Sequence, residues 1–381
     1  MSERPAIHVG FSVTALTHGM AAGGVDGIGS YTRELLSRLG TRSDIRLTKY
    51  AHGLPIGLDN AFADTFDGGH YQLQALPALI AGRSFPRMGR LRKTGVELVH
   101  ATDHLVPRVR GLPVVATLMD AIPLSHPEWV AYRFKGVMNE LWRRSLHWAD
   151  RVLTISEHSR SEIAHWFRIP LERIDVVPLG VNPRWFAPPA AGDLTRVRAV
   201  HDLPEAYFLF VGTLQPRKNL ARVVRAHASL PKTLRRAFPL ILVGRMGWGV
   251  DNLDRLLAAA DPTEVRWLRY LPDAHLLPVV HQARALVFPS LCEGFGLPVV
   301  EAFAAGLPVI TSNTSALPEV AQDAALLVDP TDGEAITDAM RRLAEDAALA
   351  TQLRDKGLIR ARDFSWQKTA EMTLAIYRRL V

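Results

Sequence analysis

Two glutamates, Glu293 and Glu301, stand in the stretch LCEGFGLPVVEAFAAGLPVITS, Leu291 to Ser312, among residues that otherwise read as buried core. A carboxylate held beside so much apolar surface is costly unless it is paired or binds something. The local pattern offers a reason. ALVFPS reads as a strand, LCEGFGLP as a turn, VVEAFAAG as a helix and LPVITS as the next strand. Glu293 then lies in the loop at a strand end. Pro298 opens the helix and Glu301 is expected in its first turn, where the macrodipole favours a carboxylate able to accept hydrogen bonds from two vicinal hydroxyls. A capping role would account for Glu301 alone. The pair, at the strand–helix edge where α/β sheets bind ligands, points to a ligand.

A second group follows the strand YFLFVGT, Tyr207 to Thr213. In GTLQPRKNL, Arg217 and Lys218 come after a tight turn and before a helix, so two cations and helix-terminal N–H groups together suit a diphosphate. A solvated basic turn is the plain alternative. A third group is GMAAGGVDGIGSYTRELL, where Gly23, Gly24, Gly27 and Gly29 precede a helix and could bring backbone N–H groups to a phosphate. The spacing is not the dinucleotide fingerprint, and a flexible loop accounts for it equally well. No D-x-D pair stands at a strand end. Asp251 and Asp254 in DNLD read as the solvated face of a helix, so no metal is expected.

The elements that must position these groups alternate. AIHVGFSV, VELVHAT, LPVVATLMD and ADRVLTIS in the first half read as parallel strands buried on both faces, as do YFLFVGT, FPLILVG, VRWLRYLP, ARALVFPS, LPVITS and AALLVDP in the second. Helical segments such as GSYTRELLSRLG, NLARVVRAHASL and DGEAITDAMRRLAED lie between them. The rhythm predicts two doubly wound α/β domains. The aperiodic GVNPRWFAPPAAGD, Gly180 to Asp193, marks the junction. The expected division is residues 1–185, residues 186–365, and a last helix over 366–381 that crosses back to the first domain.

Bulk composition agrees with a globular chain: 381 residues, 48% hydrophobic and 22% charged. The one cysteine, Cys292, excludes an internal disulfide framework and suits a reducing compartment, so a cytoplasmic location is expected. The charged head and short apolar run of MSERPAIHVGFSV read as a first strand rather than a signal peptide, and no apolar run of 18 residues suggests a membrane span. A net charge of +7 points to an anionic partner. No nucleic-acid-binding module accompanies that charge, so nucleic acid is not expected.

Taken with GTLQPRKNL, the stretch EGFGLPVVEAFAAGLPVITS resembles the retaining glycosyltransferases of family 4, which have the GT-B fold of two Rossmann-like domains facing a central cleft. Their E-x7-E signature corresponds to Glu293 and Glu301. LTISEHSRSEI around Ser156, IDVVPLGVN and TSNTSALPEVAQDAALLVDPTD are similar to further family segments, so the resemblance spans most of the chain. It implies a nucleoside diphosphate sugar as co-substrate and no cofactor or metal. It also implies roles. Glu301 would hold the ribose, Glu293 would approach the sugar hydroxyls, and Arg217 and Lys218 would hold the diphosphate. Backbone around Phe295, Gly296 and Leu297 would surround the sugar and phosphate. Gly212, Thr213 and Gly244, at strand ends of the second domain, would line the donor site, and Gly27 and Gly29 would reach the diphosphate from the first domain.

The first domain would then carry the acceptor. VHATDHLVPRVRGLPVVATLMDAIPLSHPEW is similar to a family segment centred on V-H-D-x-x-P, with Met119 in place of the histidine, followed by Asp120. His100, Asp103, His104, Met119 and Asp120 are the candidate acceptor contacts, and Asp120 joins Glu293, Arg217 and Lys218 as a candidate for the chemistry. DAIPLSHPEW is similar to bacterial mannosyltransferases of surface polysaccharide assembly, which implies GDP-mannose as donor and a saccharide or polyprenyl-diphosphate-linked saccharide as acceptor. In Glu128 to Arg151, Trp129, Tyr132, Phe134, Trp142 and Trp148 mix with Arg133, Lys135, Arg143 and Arg144, and RSFPRMGRLRKTG adds cations upstream. An anionic membrane surface and an ordinary amphipathic helix with its aromatics in the core both fit. The former implies a peripheral place on the inner face of the cytoplasmic membrane. A nucleotide-sugar epimerase of the same fold and a non-catalytic nucleotide-sugar-binding subunit are the alternatives.

Overall fold

The computed structural model describes residues 6–55, 57, 60–249 and 251–381. The charged head read at residues 1–5 lies outside them. Among the described residues, thirteen strands form two parallel sheets. The first contains β1 (Ile7–Ser12), β2 (Ile45–Ala51), β3 (Phe66–Asp67), β4 (Leu98–Ala101), β5 (Val114–Thr117), β6 (Arg151–Thr154) and β7 (Ile174–Val176), in the order β3-β2-β1-β4-β5-β6-β7. The second contains β8 (Phe208–Val211), β9 (Leu240–Val243), β10 (Val265–Trp267), β11 (Ala285–Phe288), β12 (Val309–Ser312) and β13 (Leu326–Val328), in the order β10-β9-β8-β11-β12-β13. Both are doubly wound, and the strand order reverses between β1 and β4 in one and between β8 and β11 in the other. Loops leaving the carboxyl ends of those strand pairs form the crevices where such sheets bind ligands.

The central strands β1, β4, β5, β8, β9, β11 and β12 are buried almost throughout, which is why their sequences are continuous apolar runs. The sequence reading did not list β2, β3 or β7. β2 pairs with β1 from Ile7↔Ile45 to Ser12↔Tyr50, but its sequence IRLTKYA carries polar residues on its more open face. The expected strand VRWLRYLP stops at Trp267, because Arg269 adopts a left-handed φ of 58°.

The chain forms two compact units. One comprises Met1–Pro127, Tyr132–Gly180 and Trp366–Val381; the other comprises Glu128–Ala131 and Val181–Ser365. Residues 181–185, given to the first domain by the sequence reading, group with the second. Val181 bridges Ser365, and Trp185 is buried in a short turn, Pro183–Phe186, against the helix Leu297–Ala304. In the first unit, the helix Trp366–Tyr377 buries Trp366, Leu374, Ile376 and Tyr377. Thr369 donates to the Pro178 carbonyl at 2.7 Å.

The aromatic segment divides by position. Trp142 is buried in the first unit's core with Tyr71, Phe85 and Leu146, and Tyr132 and Trp148 pack against it. Phe134 and Val137 are left exposed. The core reading therefore holds for these tryptophans. No helix among the described residues is long and apolar enough to cross a membrane.

Candidate functional site

β8 turns out of its sheet at Gly212, where φ is +148°, and β9 does the same at Gly244, where φ is +149°. A Cβ on Gly244 would stand 1.9 Å from the Gly212 carbonyl oxygen, so the two strand ends can approach only without side chains. Their N–H groups already donate to Val243 O (2.9 Å) and Arg269 O (2.7 Å). What these glycines contribute at the edge is therefore space. Thr213 beside them is exposed.

The next turn, Pro216–Lys218, ends at Asn219, whose left-handed φ of 61° starts the helix Leu220–Ala228. The Asn219 amide donates to the carbonyls of Pro289 (2.9 Å) and Pro330 (2.6 Å), tying this turn to the ends of β11 and β13. Leu291 N donates to Arg217 O at 2.7 Å, and Arg217 Nη1 donates to Cys292 O at 3.1 Å. These two laced loops present one buried cluster. Glu293 Oε1 lies 2.5 Å from Lys218 Nζ, and its Oε2 lies 2.8 Å from Arg217 Nη1. Lys218 also sits 4.5 Å from the centroid of the Phe288 ring. Burial pushes the Glu293 carboxyl up, but the charges of Arg217 and Lys218 and their hydrogen bonds outweigh it and hold the group at about 2. The trio is thus a carboxylate clamped by two cations, with one positive charge in excess, at the β8/β11 crevice.

Gly296, at φ +106°, is the N-cap of the helix Leu297–Ala304; a Cβ there would meet Leu317 Cδ2 at 2.6 Å. The side chain of Phe295 packs edge-on against Phe364, so only its backbone could face a ligand. Glu301 is the fifth residue of this helix, and the first turn carries no acid. The expectation of a first-turn glutamate is corrected because the helix starts at Leu297, directly after the left-handed Gly296 and two residues before the expected Val299, which carries Glu301 past the first turn. Burial raises the Glu301 carboxyl to about 7, with Arg184 and Trp185 pulling the other way and Asp273 adding to the rise. Arg184 and Asp273 are themselves paired at 2.6 Å. This neighbourhood lies in the aperiodic segment 180–193, expected only as the junction between the domains. The readable signal was Asn182-Pro183, an N-cap followed by a first-turn proline, and Asn182 Oδ1 does accept from Arg184 N at 3.1 Å.

In the first unit, the loop after β1 contains two helices, Thr14–Ala21 and Gly27–Gly40. Gly27 and Gly29 fall inside the second helix rather than before it. The Gly29 N–H is already taken by the Asp26 side chain at 2.8 Å, which caps the helix. His100 is corrected: it lies within β4, fully buried. Its Nδ1 is 2.5 Å from the Tyr377 hydroxyl and its Nε2 is 2.7 Å from the Thr117 hydroxyl, and burial lowers it to about 3. It joins the C-terminal helix to the sheet and has no face left for an acceptor. Asp103 and His104 follow at the carboxyl end of β4. Asp103 accepts from Leu105 N at 2.8 Å and is raised to about 6 by burial; His104 packs on Trp142 with centroids 3.9 Å apart and is lowered to about 4. Met119 and Asp120 are partly exposed beyond β5, where Asp120 Oδ1 accepts from Ile122 N at 3.0 Å. No cluster of three or more His, Cys, Asp or Glu side chains among the described residues is arranged to hold a metal ion.

Comparison with known proteins matches both halves of the chain. A family model for glycosyl transferases group 1 matches residues 194–359, and one for Glycosyltransferase Family 4 matches residues 25–185. O-antigen chain mannosyltransferase B of Escherichia coli is 32% identical over 370 residues, 93% of this chain and 96% of that protein. Serotype-specific mannosyltransferase WbdA of Escherichia coli is 27% identical over 278 residues, 70% of this chain; the match spans 33% of WbdA. Among solved structures, sucrose-phosphate synthase of Thermosynechococcus elongatus superposes with a TM-score of 0.73 at 21% identity, covering 99% of both chains.

Proposed function

The chain belongs to glycosyltransferase family 4 and is a glycosyltransferase of GT-B fold; on that premise we propose that it moves mannose from GDP-mannose to a saccharide, free or polyprenyl-diphosphate-linked, in cell-surface polysaccharide assembly. The observation that carries the reading is the buried Arg217–Glu293–Lys218 cluster at the β8/β11 crevice. Its excess positive charge suits a leaving diphosphate, whose charge grows as the bond to the sugar breaks. Glu301, on the next helix, accepts the ribose hydroxyls once ionised. The anomeric C–O bond to the diphosphate breaks and the acceptor oxygen attacks from the same face. Its proton passes to the departing phosphate, so the products are GDP and a mannoside of retained configuration. The single positive charge in excess in this cluster offsets part of the charge on the diphosphate, and the proposal invokes no metal ion. Mannose rests on the relatives' names, both mannosyltransferases, the nearer one over almost the whole chain.

The test is a thermal-shift series with GDP, UDP and their sugars, followed by transfer assays with mannose oligosaccharides and lipid-linked saccharides. GDP and GDP-mannose at ~100 times their dissociation constants should stabilise the protein by about 2.7 kcal/mol. Transfer should give an α-mannoside by NMR. Stabilisation by uridine compounds alone overturns the donor, and an inverted product overturns the stereochemistry. Tight donor binding with neither transfer nor donor hydrolysis leaves a binding subunit.

A further inference from the structure

The outer face of the helix Tyr71–Ala81 is apolar. It buries Tyr71, Ala75 and Ala78 in the first unit's core, yet Leu73 is 74% exposed, Leu76 57% and Ile80 80%. Of the exposed residues in this helix, Gln72, Leu73, Leu76, Pro77, Ile80 and Ala81, only the first is polar. The spacing i, i+3, i+7 puts the three large side chains on one stripe. A helix apolar on both faces on the outside of a folded unit marks a surface that another phase or partner covers.

Charge says which. From Gly68 to Val96 the chain carries no Asp or Glu but has the exposed cations Arg83, Arg90, Arg92 and Lys93, besides Arg87, which pairs with Asp67. Arg110 reaches the C-terminal end of this helix from the loop after β4, donating to Gly82 O at 2.8 Å. A second copy docking face to face would bring like cations together. A bilayer with anionic headgroups supplies both complements at once, hydrocarbon for the stripe and phosphates for the rim.

We infer that the Tyr71–Ala81 helix lies in the plane of an anionic lipid bilayer, with Leu73, Leu76 and Ile80 inserted and Arg83, Arg90 and Arg110 among its headgroups. The sequence pointed to the 128–151 aromatics together with the cations of RSFPRMGRLRKTG; the cations belong to this face, but Trp142 and Trp148 of the aromatic segment turn inward. The position is suited to a lipid-linked acceptor. The helix follows the carboxyl end of β3, and its Tyr71 hydroxyl donates to Val106 O at 3.2 Å, in the same loop as Asp103 and His104. The inference stands on this face alone: failure of vesicle binding leaves transfer to soluble acceptors intact, and the wrong donor leaves vesicle binding intact.

The test is co-sedimentation of the full chain with phosphatidylcholine vesicles, with and without phosphatidylglycerol at about three parts in ten. Binding should require the anionic lipid and weaken as salt rises from about 0.05 to 0.5 M. L73S/L76S/I80S should lose affinity about tenfold or more with its charge unchanged, and R83Q/R90Q should lose affinity and salt dependence together. L76W should show a blue-shifted emission on anionic vesicles and none on neutral ones, a readout that survives if the triple variant folds poorly. Equal binding by wild type and the serine variant, or an L76W emission indifferent to vesicles, overturns the inference. So does a vesicle-free dimer that the serine variant dissolves, which would make this face a contact between copies.

Discussion

Glu293 sits where stability and chemistry share the same atoms. Lys218→Met leaves its buried carboxylate with Arg217 alone, and Glu293→Gln leaves two cations side by side. Each single change should cost about 1–3 kcal/mol in urea unfolding, and the double variant should recover part of that loss. Turnover should fall ~10²–10³-fold in Lys218→Met and should not return in the double variant, because the diphosphate has lost its cation. Recovery of both would mean that Lys218 acts only by holding Glu293. Glu301 behaves oppositely. Its folded value of about 7 stands above the ordinary 4.5. The folded state therefore holds a proton that the unfolded state has released between those values, so stability present at low pH is lost as pH rises from about 4.5 through 7. The upper bound is about 3 kcal/mol, reduced by the water that reaches this partly exposed side chain. Glu301→Gln should flatten that slope and exceed wild-type stability at pH 8. Nucleotide affinity in the wild type should climb through pH 7 as the carboxylate ionises, and in the variant it should be weaker and flat. A wild-type stability curve without the slope would remove the burial argument.

One left-handed asparagine connects three element ends. Asn219 holds the β8 turn to the exits of β11 and β13 through two carbonyls. Asn219→Gly keeps the backbone accessible but leaves those carbonyls without the amide, costing about 1–3 kcal/mol. Asn219→Ala adds the left-handed penalty of roughly 1–2 kcal/mol. Urea unfolding should rank the three proteins Asn, Gly, Ala, and kcat should fall in the same order as Lys218 loosens. If Gly and Ala variants are equally stable, the backbone conformation is not what selects this residue.

For the whole chain, the closing helix matters out of proportion to its length. It inserts Trp366, Leu374, Ile376 and Tyr377 into the first unit and satisfies His100, so residues through Tyr377 are needed before that unit is complete. Deleting residues 366–381 should destabilise the first unit by at least ~5 kcal/mol from lost apolar burial alone. Tyr377→Phe should cost about 1–3 kcal/mol by leaving a His100 nitrogen unpaired. Hydrogen exchange would show deprotection of β4 and β5 on truncation, while nucleotide should still protect β8 and β11. Unchanged protection of β4 would contradict this account.

The central strands, the glycines at the exits of β8 and β9, the cation pair after β8 and the glutamates after β11 could all be read from the sequence, because each is local: apolar runs, turn residues and a fixed spacing. The same holds for the family, whose signature lies in contiguous motifs. What needed the tertiary structure is what depends on distant partners. Glu293 and Lys218, 75 positions apart, form one ion cluster only because β8 and β11 are neighbours at the reversal of strand order. His100 looked like a ligand contact and is a core hydrogen-bond partner of a helix 277 positions away. Trp142, for which core and membrane surface both fitted, turns into the core, and Leu73, which no motif singled out, is left outside. Periodicity reveals that a face is apolar but not which face the rest of the chain covers.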